Sequence, residues 1–129
     1  MKNNNYLHSE LTSQILKAFY TVYNTLGYGF LEKVYENSMM IELKNLGLKC
    51  KQQQRIDVFY ETIKVGNYYA DIVVEDKVIL ELIAAEFLIP EHEAQLVNYL
   101  RATNMEVGLL LNFGKVPSHK RRVLTNDYK

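Results

Sequence analysis

Apolar residues recur at Leu11, Ile15, Phe19, Val22 and Leu26, with Ala18 and Tyr23 alongside. Spacings of three and four place them on one face of a helix, which the pattern predicts over 8–26. Ser9 or Thr12 is the candidate cap at its start. Gly27-Tyr28-Gly29 breaks the pattern, and a second helix is expected over 30–46, with Leu31, Val34, Tyr35, Ile41 and Leu43 as core candidates. Asn45-Leu46-Gly47-Leu48 reads as its glycine stop, Gly47 taking the left-handed conformation and Leu48 packing back.

The period then changes to two. Cys50 to Tyr60 is strand-like, with Ile56, Val58 and Tyr60 alternating with Asp57 and Phe59. A turn near Glu61, a short segment Ile63-Lys64-Val65 and a further break at Gly66-Asn67 lead into a long hairpin over 69–83. Within it Ala70, Ile72, Val74, Val78, Leu80 and Leu82 share one face and are all apolar, so that face is core. Asp71, Glu81 and Ile83 share the other face. If Glu75-Asp76-Lys77 form the turn, Asp71 stands directly opposite Glu81, with Cβ atoms roughly 4.5–5.5 Å apart. Like charges so placed repel unless a cation sits between them, which points to a divalent-metal site.

Pro90 suits a first helical position, and a third helix is expected over 90–103. The nearly continuous apolar run 107–113 suits a central strand buried on both faces. Gly114 ends it, and 121–125 is a short final strand. Together these elements make an α+β (α/β) domain, a mixed sheet flanked by helices, with 69–75, 78–85 and 107–113 among the central strands. No repeat, low-complexity tract or Pro/Ser-rich linker divides residues 1–129, so a single domain with its own core is expected.

Composition narrows the choice of function. No apolar run approaches the roughly 18 residues of a membrane span, and Met1 to Tyr6 lacks the apolar core of a signal peptide. A cytoplasmic location is the default. The single cysteine, Cys50, excludes an internal disulfide and four-cysteine zinc or iron–sulfur sites. Fifteen basic and fifteen acidic residues cancel, which argues against broad electrostatic capture of nucleic acid. One local excess exists from Lys115 to Arg122, readable as a basic patch or as a solvated terminal segment.

Further candidate chemistry lies on the helices. His92, Gln95 and Tyr99 project from one face of the third helix, with Leu96 and Leu100 toward another. Gln95 and Tyr99 could hold a water, a metal ligand or a phosphate, or form an exposed polar stripe with a partly buried tyrosine. Glu32 and Glu36 stand four apart at the start of the second helix. The helix dipole alone favours acids there, but an acidic pair elsewhere leaves room for a third ligand. Gly27 and Gly29 lack the strand before and the lysine-serine after that a phosphate loop needs, so they read as a tight interhelical turn.

Gly29, Glu32 and Tyr35 match the motif that names the GxxExxY family, bacterial proteins that resemble the PD-(D/E)XK nuclease superfamily. Tyr69 to Val74, Glu81-Leu82, His92 to Leu100 and Gly108 to Gly114 resemble the family's successive blocks in order, over nearly the whole chain. Gln95 and Tyr99 also resemble the glutamine–tyrosine motif of RecB-like nucleases. The resemblance implies a restriction-endonuclease-like core. Within it Asp71 and Glu81 would be metal-binding carboxylates, Glu32 an additional acid, and Gln95 and Tyr99 the supporting motif. It further implies Mg²⁺ or Mn²⁺ and hydrolysis of phosphodiester bonds in DNA or RNA.

One residue departs from that pattern. The acid-x-lysine of the superfamily places a lysine two residues after Glu81, and this chain has Ile83. Isoleucine can neither position a water nor steady charge on phosphorus, and losing such a stabiliser typically costs about 10²–10³ in rate. Lys77 lies in the hairpin turn, badly placed to substitute. Two readings follow: a weakened magnesium-dependent nuclease, or a catalytically inactive nuclease-fold module for binding or regulation. Ten tyrosines and five phenylalanines are compatible with a homo-oligomer such as a homodimer, although no motif requires one.

Overall fold

A computed structural model describes residues 7–129, so the reading of Met1 to Tyr6 lies outside the described residues. The elements run α1 (Ser9–Leu26), α2 (Glu32–Asn45), β1 (Cys50–Tyr60), β2 (Ile63–Val74), β3 (Val78–Ile83), α3 (Pro90–Arg101), β4 (Val107–Asn112) and β5 (Ser118–Val123). The five strands form one mixed sheet in the order β1-β2-β3-β4-β5. Only β3 and β4 pair in parallel, and α3 supplies the crossover that parallel neighbours need. Among the described residues, no helix is long and apolar enough to cross a membrane.

The sheet is covered on both sides. Ile15, Phe19 and Val22 of α1 and Tyr35, Met39 and Leu43 of α2 pack on Ile72, Val74, Leu80, Leu82, Leu109 and Leu111. On the opposite side Leu96, Tyr99 and Leu100 of α3 pack on Val73, Ile79 and Leu110. The hairpin face expected to be core is core. Ala70 is the exception, grouping with Ile56 and the α3 side. α3 approaches β4 closely at Gly108: a Cβ there would meet the Leu96 side chain at 2.6 Å.

Several local expectations are corrected. Neither Ser9 nor Thr12 caps α1. The cap position is His8, with φ 54°, and no side chain caps the helix; the Thr12 hydroxyl instead donates to the His8 carbonyl at 2.7 Å. In α2, Leu31, Val34 and Ile41 face outward, Leu31 being 80% and Ile41 60% exposed. The helix buries a narrow stripe, Tyr35, Met39 and Leu43, at successive i+4 positions that leave no room for those neighbours. In β1 only Ile56 of the three alternating residues is buried, because the hairpin runs on beyond its helical cover. Gly66-Asn67 does not interrupt β2, as both residues keep ladder partners in β1. The glycine stop of α2 is as expected: Gly47 has φ 79°, and the Leu48 amide donates to the Leu43 carbonyl at 3.1 Å.

The basic stretch is not a loose tail, and two of its cations share one carboxylate. Residues 118–123 form the edge strand β5, starting three residues and ending two residues before the predicted 121–125. Arg122 pairs with Glu93 of α3 at 2.7 Å, Lys120 meets the same carboxylate at 3.7 Å, and Arg121 donates to the Leu7 carbonyl.

Candidate active site

The β2–β3 turn places the acidic pair. Ile72 pairs with Leu80, Val73 with Ile79 and Val74 with Val78, so residues 75–77 are the turn, with Glu75 and Asp76 at positive φ. The same register carried one step further sets Asp71 against Glu81. The Asp71 amide donates to Glu81 Oε1 at 3.3 Å, and the Leu82 amide to Asp71 Oδ2 at 2.8 Å. The side chains are therefore adjacent, and Glu81 is only 7% exposed.

Burial and charge act together here. Burial, reinforced by the charge of Asp71, pushes the Glu81 carboxyl up to about 9. The neutral Glu81 carboxyl then hydrogen-bonds to Asp71. Asp71 is itself raised, first by burial and then by the carboxylate of Glu36, against the lowering effect of the Leu82 amide. The largest influences on both groups are burial, neighbouring carboxylates and neutral donors; no lysine or arginine is among them.

Glu36 enters as a residue that sequence reasoning left in the first turn of a helix. It is buried, and its Oε1 accepts from Gln53 Nε2 at 2.7 Å. Its Oε2 accepts from Lys33 Nζ at 2.7 Å and from Gln52 Nε2. Gln53 also reaches Asp71 Oδ1 at 3.4 Å. Successive side chains on a strand normally point to opposite faces, yet Gln52 and Gln53 both serve Glu36. The backbone explains this. Gln53 takes φ 54° where the β1–β2 ladder skips a pair, between Gln52–Ile72 and Gln54–Ala70. A left-handed non-glycine residue costs roughly 1–2 kcal/mol, and such strain concentrates at functional sites. The sequence signal was faint: three consecutive glutamines in a strand.

A prediction follows. Gln53→Ala should destabilise the fold by about 1–2 kcal/mol by removing a donor from a buried carboxylate. Gln53→Gly loses the same bonds but relieves the left-handed backbone, so it should cost less than alanine. That reverses the usual order inside a strand. Urea unfolding of the two variants decides it: an alanine variant as stable as wild type, or more stable than the glycine variant, contradicts the role given to Gln53.

The remaining candidates fall around this pair. Glu32, the first residue of α2, accepts from the Ala84 backbone just beyond β3; its carboxyl is raised by burial and then by Asp71, and His92 opposes the shift. Gln95 Nε2 donates to the Tyr99 hydroxyl at 2.7 Å. Burial and then Glu81 raise the Tyr99 phenol, and Asp71 adds to the effect. The expected polar stripe on α3 is thus divided: Tyr99 is buried with Leu96 and Leu100, and His92 Nδ1 accepts the Ile89 amide at the helix start. Ile83 is half-buried at the end of β3, with Asn112 as its partner.

Two adjacent carboxyls, one buried and pushed up first by burial and then by its neighbour's charge, form a donor set that suits a hard divalent cation. A cation could displace the shared proton and relieve the repulsion that raises both groups. Among the described residues, no three His, Cys, Asp or Glu side chains already stand at metal-ligand spacing. Glu32 is within electrostatic reach of the pair without completing such a triad.

No curated protein matches the chain. A solved structure titled "Crystal structure of SSO0001" shares the fold, with a TM-score of 0.58 and 17% identity over 96% of this chain. The present chain spans 62% of that structure's length, and at such identity the likeness speaks to fold alone. The profile described as the PD-(D/E)XK nuclease superfamily matches residues 9–123, a span that holds both acids of the pair, Glu32, Gln95 and Tyr99. The chain belongs to the PD-(D/E)XK nuclease superfamily.

Proposed function

We propose that this protein binds Mg²⁺ or Mn²⁺ through Asp71 and Glu81 and hydrolyses phosphodiester bonds of nucleic acid slowly, its turnover limited by Ile83. The observation that carries the reading is the Asp71–Glu81 contact: a buried glutamate kept neutral beside an aspartate. Such an arrangement is costly unless it has a use. When bound, the metal would lower the pKa of a water and neutralise charge on the scissile phosphate.

The chain's own residues have separate tasks. Asp71 and Glu81 hold the cation, and the Leu82 amide fixes Asp71 from behind. Glu36 and Gln53 position Asp71 from the α2 side. Glu32 faces the same region and can accept a proton or hold a bound water. Gln95 orients the Tyr99 hydroxyl toward the carboxylates. A second reading, a nuclease-fold module without turnover, is favoured by the isoleucine at position 83 and by the neutral net charge.

The test is calorimetric titration of Mn²⁺ into wild type and Asp71→Ala, followed by a cleavage assay on mixed DNA and RNA. Heat should appear in the wild type and disappear in the variant. Equal, negligible heats in both would reduce the pair to a structural feature. Metal binding without detectable cleavage would favour the second reading.

A further inference from the structure

The β1–β2 hairpin runs past the edge of β3, since β2 pairs with β3 only over residues 72–74. Between this overhang and α3 lies a half-open groove of about 760 Å³. Its walls include Phe59 and Tyr68 from the hairpin and Gln95, Asn98 and Tyr99 from α3. Phe59 is 61% and Tyr68 53% exposed, so both offer ring faces to whatever enters. The groove meets the candidate active site at Gln95 and Tyr99, which line both. Tyr68 and Tyr99 have ring centroids 5.5 Å apart, and Tyr99 feels the charges of Glu81 and Asp71.

We propose that this groove receives an unpaired nucleobase of a single-stranded substrate, stacked on Phe59 and Tyr68 and hydrogen-bonded by the Asn98 amide. The inference rests on the nuclease reading above and names its substrate class. Aromatic faces bind bases regardless of sequence because every base has a π-face. An amide, donor and acceptor together, suits the polar edge of a base. The charges also fit a base better than a run of phosphates. Asp57 in the groove is held by Arg55 at 2.8 Å and Lys64 at 3.4 Å, while Glu91 and Arg101 offset each other. A nearly neutral aromatic slot with cations at its rim takes one splayed base and leaves its phosphates at the edge. A duplex keeps its bases stacked and cannot fill it.

Two substitutions probe the groove away from the acidic pair. Phe59→Ala removes an exposed ring. Gly66→Ile obstructs the slot: Gly66 is the ladder partner of Val58, a groove residue, and a Cβ at 66 meets nothing within 4 Å. Paired residues point to one face, so the new side chain enters the groove.

The experiment measures binding of a single-stranded oligonucleotide carrying 2-aminopurine, in Ca²⁺, alongside the same sequence as a duplex. Wild type should quench the fluorescence of the single strand and not of the duplex. Each substitution should weaken binding about tenfold, the effect of losing one stacked base. Unchanged affinity in both variants overturns the proposal, as does a duplex bound as tightly as the single strand. Sedimentation that shows a wild-type dimer dissociated by Phe59→Ala would overturn it in favour of an interface between copies. A parallel cleavage assay in Mn²⁺ separates the two claims. Wild type that cleaves, with variants equally active, defeats the slot and leaves the nuclease reading standing; no binding and no cleavage of any nucleic acid defeats both.

Discussion

Ile83→Lys is expected to raise Mg²⁺- or Mn²⁺-dependent cleavage of nucleic acid by about 10²–10³ over wild type, the usual worth of one charged stabiliser of a developing anion. Residue 83 lies two beyond Glu81 on β3, so by strand alternation the two side chains share a face. Its half-buried position leaves space for a lysine stem to lie along apolar surface while the ammonium reaches the carboxyls. A cation there also favours ionised Glu81, the form a metal needs. Combining Ile83→Lys with Glu81→Ala should abolish the gain, because the ammonium alone has no metal to work with. Brisk cleavage by the wild type, unimproved by lysine, would contradict the assignment of Ile83 as the limiting residue and point to another basic group in the site.

Glu81→Gln should stabilise the protein above about pH 5 and remove much of the fall in its stability with rising pH, leaving the smaller slope due to Asp71 and Glu32. The folded wild type keeps the Glu81 proton up to about pH 9, whereas the unfolded chain releases it near its ordinary value of 4.5. Between those values the folded state holds more protons, so unfolding free energy falls as pH rises through the window. One fully shifted proton is worth about 1.4 kcal/mol per pH unit. Relaxation around the charge reduces that, and a loss on the order of 3 kcal/mol from about pH 5 to about pH 8 is expected. Asp71 and Glu32, also raised, add to the slope with the same sign. Glutamine can reproduce both contacts of neutral Glu81, accepting from the Asp71 amide and donating to its carboxylate, but carries no charge to lose. Urea midpoints of both proteins across this range test the point: parallel curves would show that Glu81 ionises freely in the fold. The same proton makes metal affinity rise with pH below about 9, up to tenfold per unit.

Most of the frame was legible in the sequence because its signals are local. The alternation of Ile72, Val74, Val78, Leu80 and Leu82, together with a polar three-residue turn, placed Asp71 opposite Glu81; the ladder runs to Ile72–Leu80, one step short of that pair, and the Asp71 amide donates to Glu81 Oε1. Pro90 and Gly47 marked helix ends for reasons of backbone geometry that hold in any fold. What stayed hidden depended on contacts distant along the chain. Glu36 resembles any first-turn acid until Gln52 and Gln53 arrive from a strand sixteen and seventeen residues away. Their convergence requires a left-handed Gln53, which no residue type announces. Leu31 and Ile41 read as core because apolar residues usually are, but α2 turns only the narrow face around Tyr35, Met39 and Leu43 toward the sheet. The cations of β5 seemed available until α3 supplied Glu93.

The most direct test of the central claim is a crystal of the protein grown or soaked with Mn²⁺, examined by anomalous diffraction. The account predicts a single strong peak contacted by carboxylate oxygens of both Asp71 and Glu81, with the hydrogen bond between them broken. A Mn²⁺-saturated crystal with no peak there, and Glu81 still hydrogen-bonded to Asp71, would contradict it.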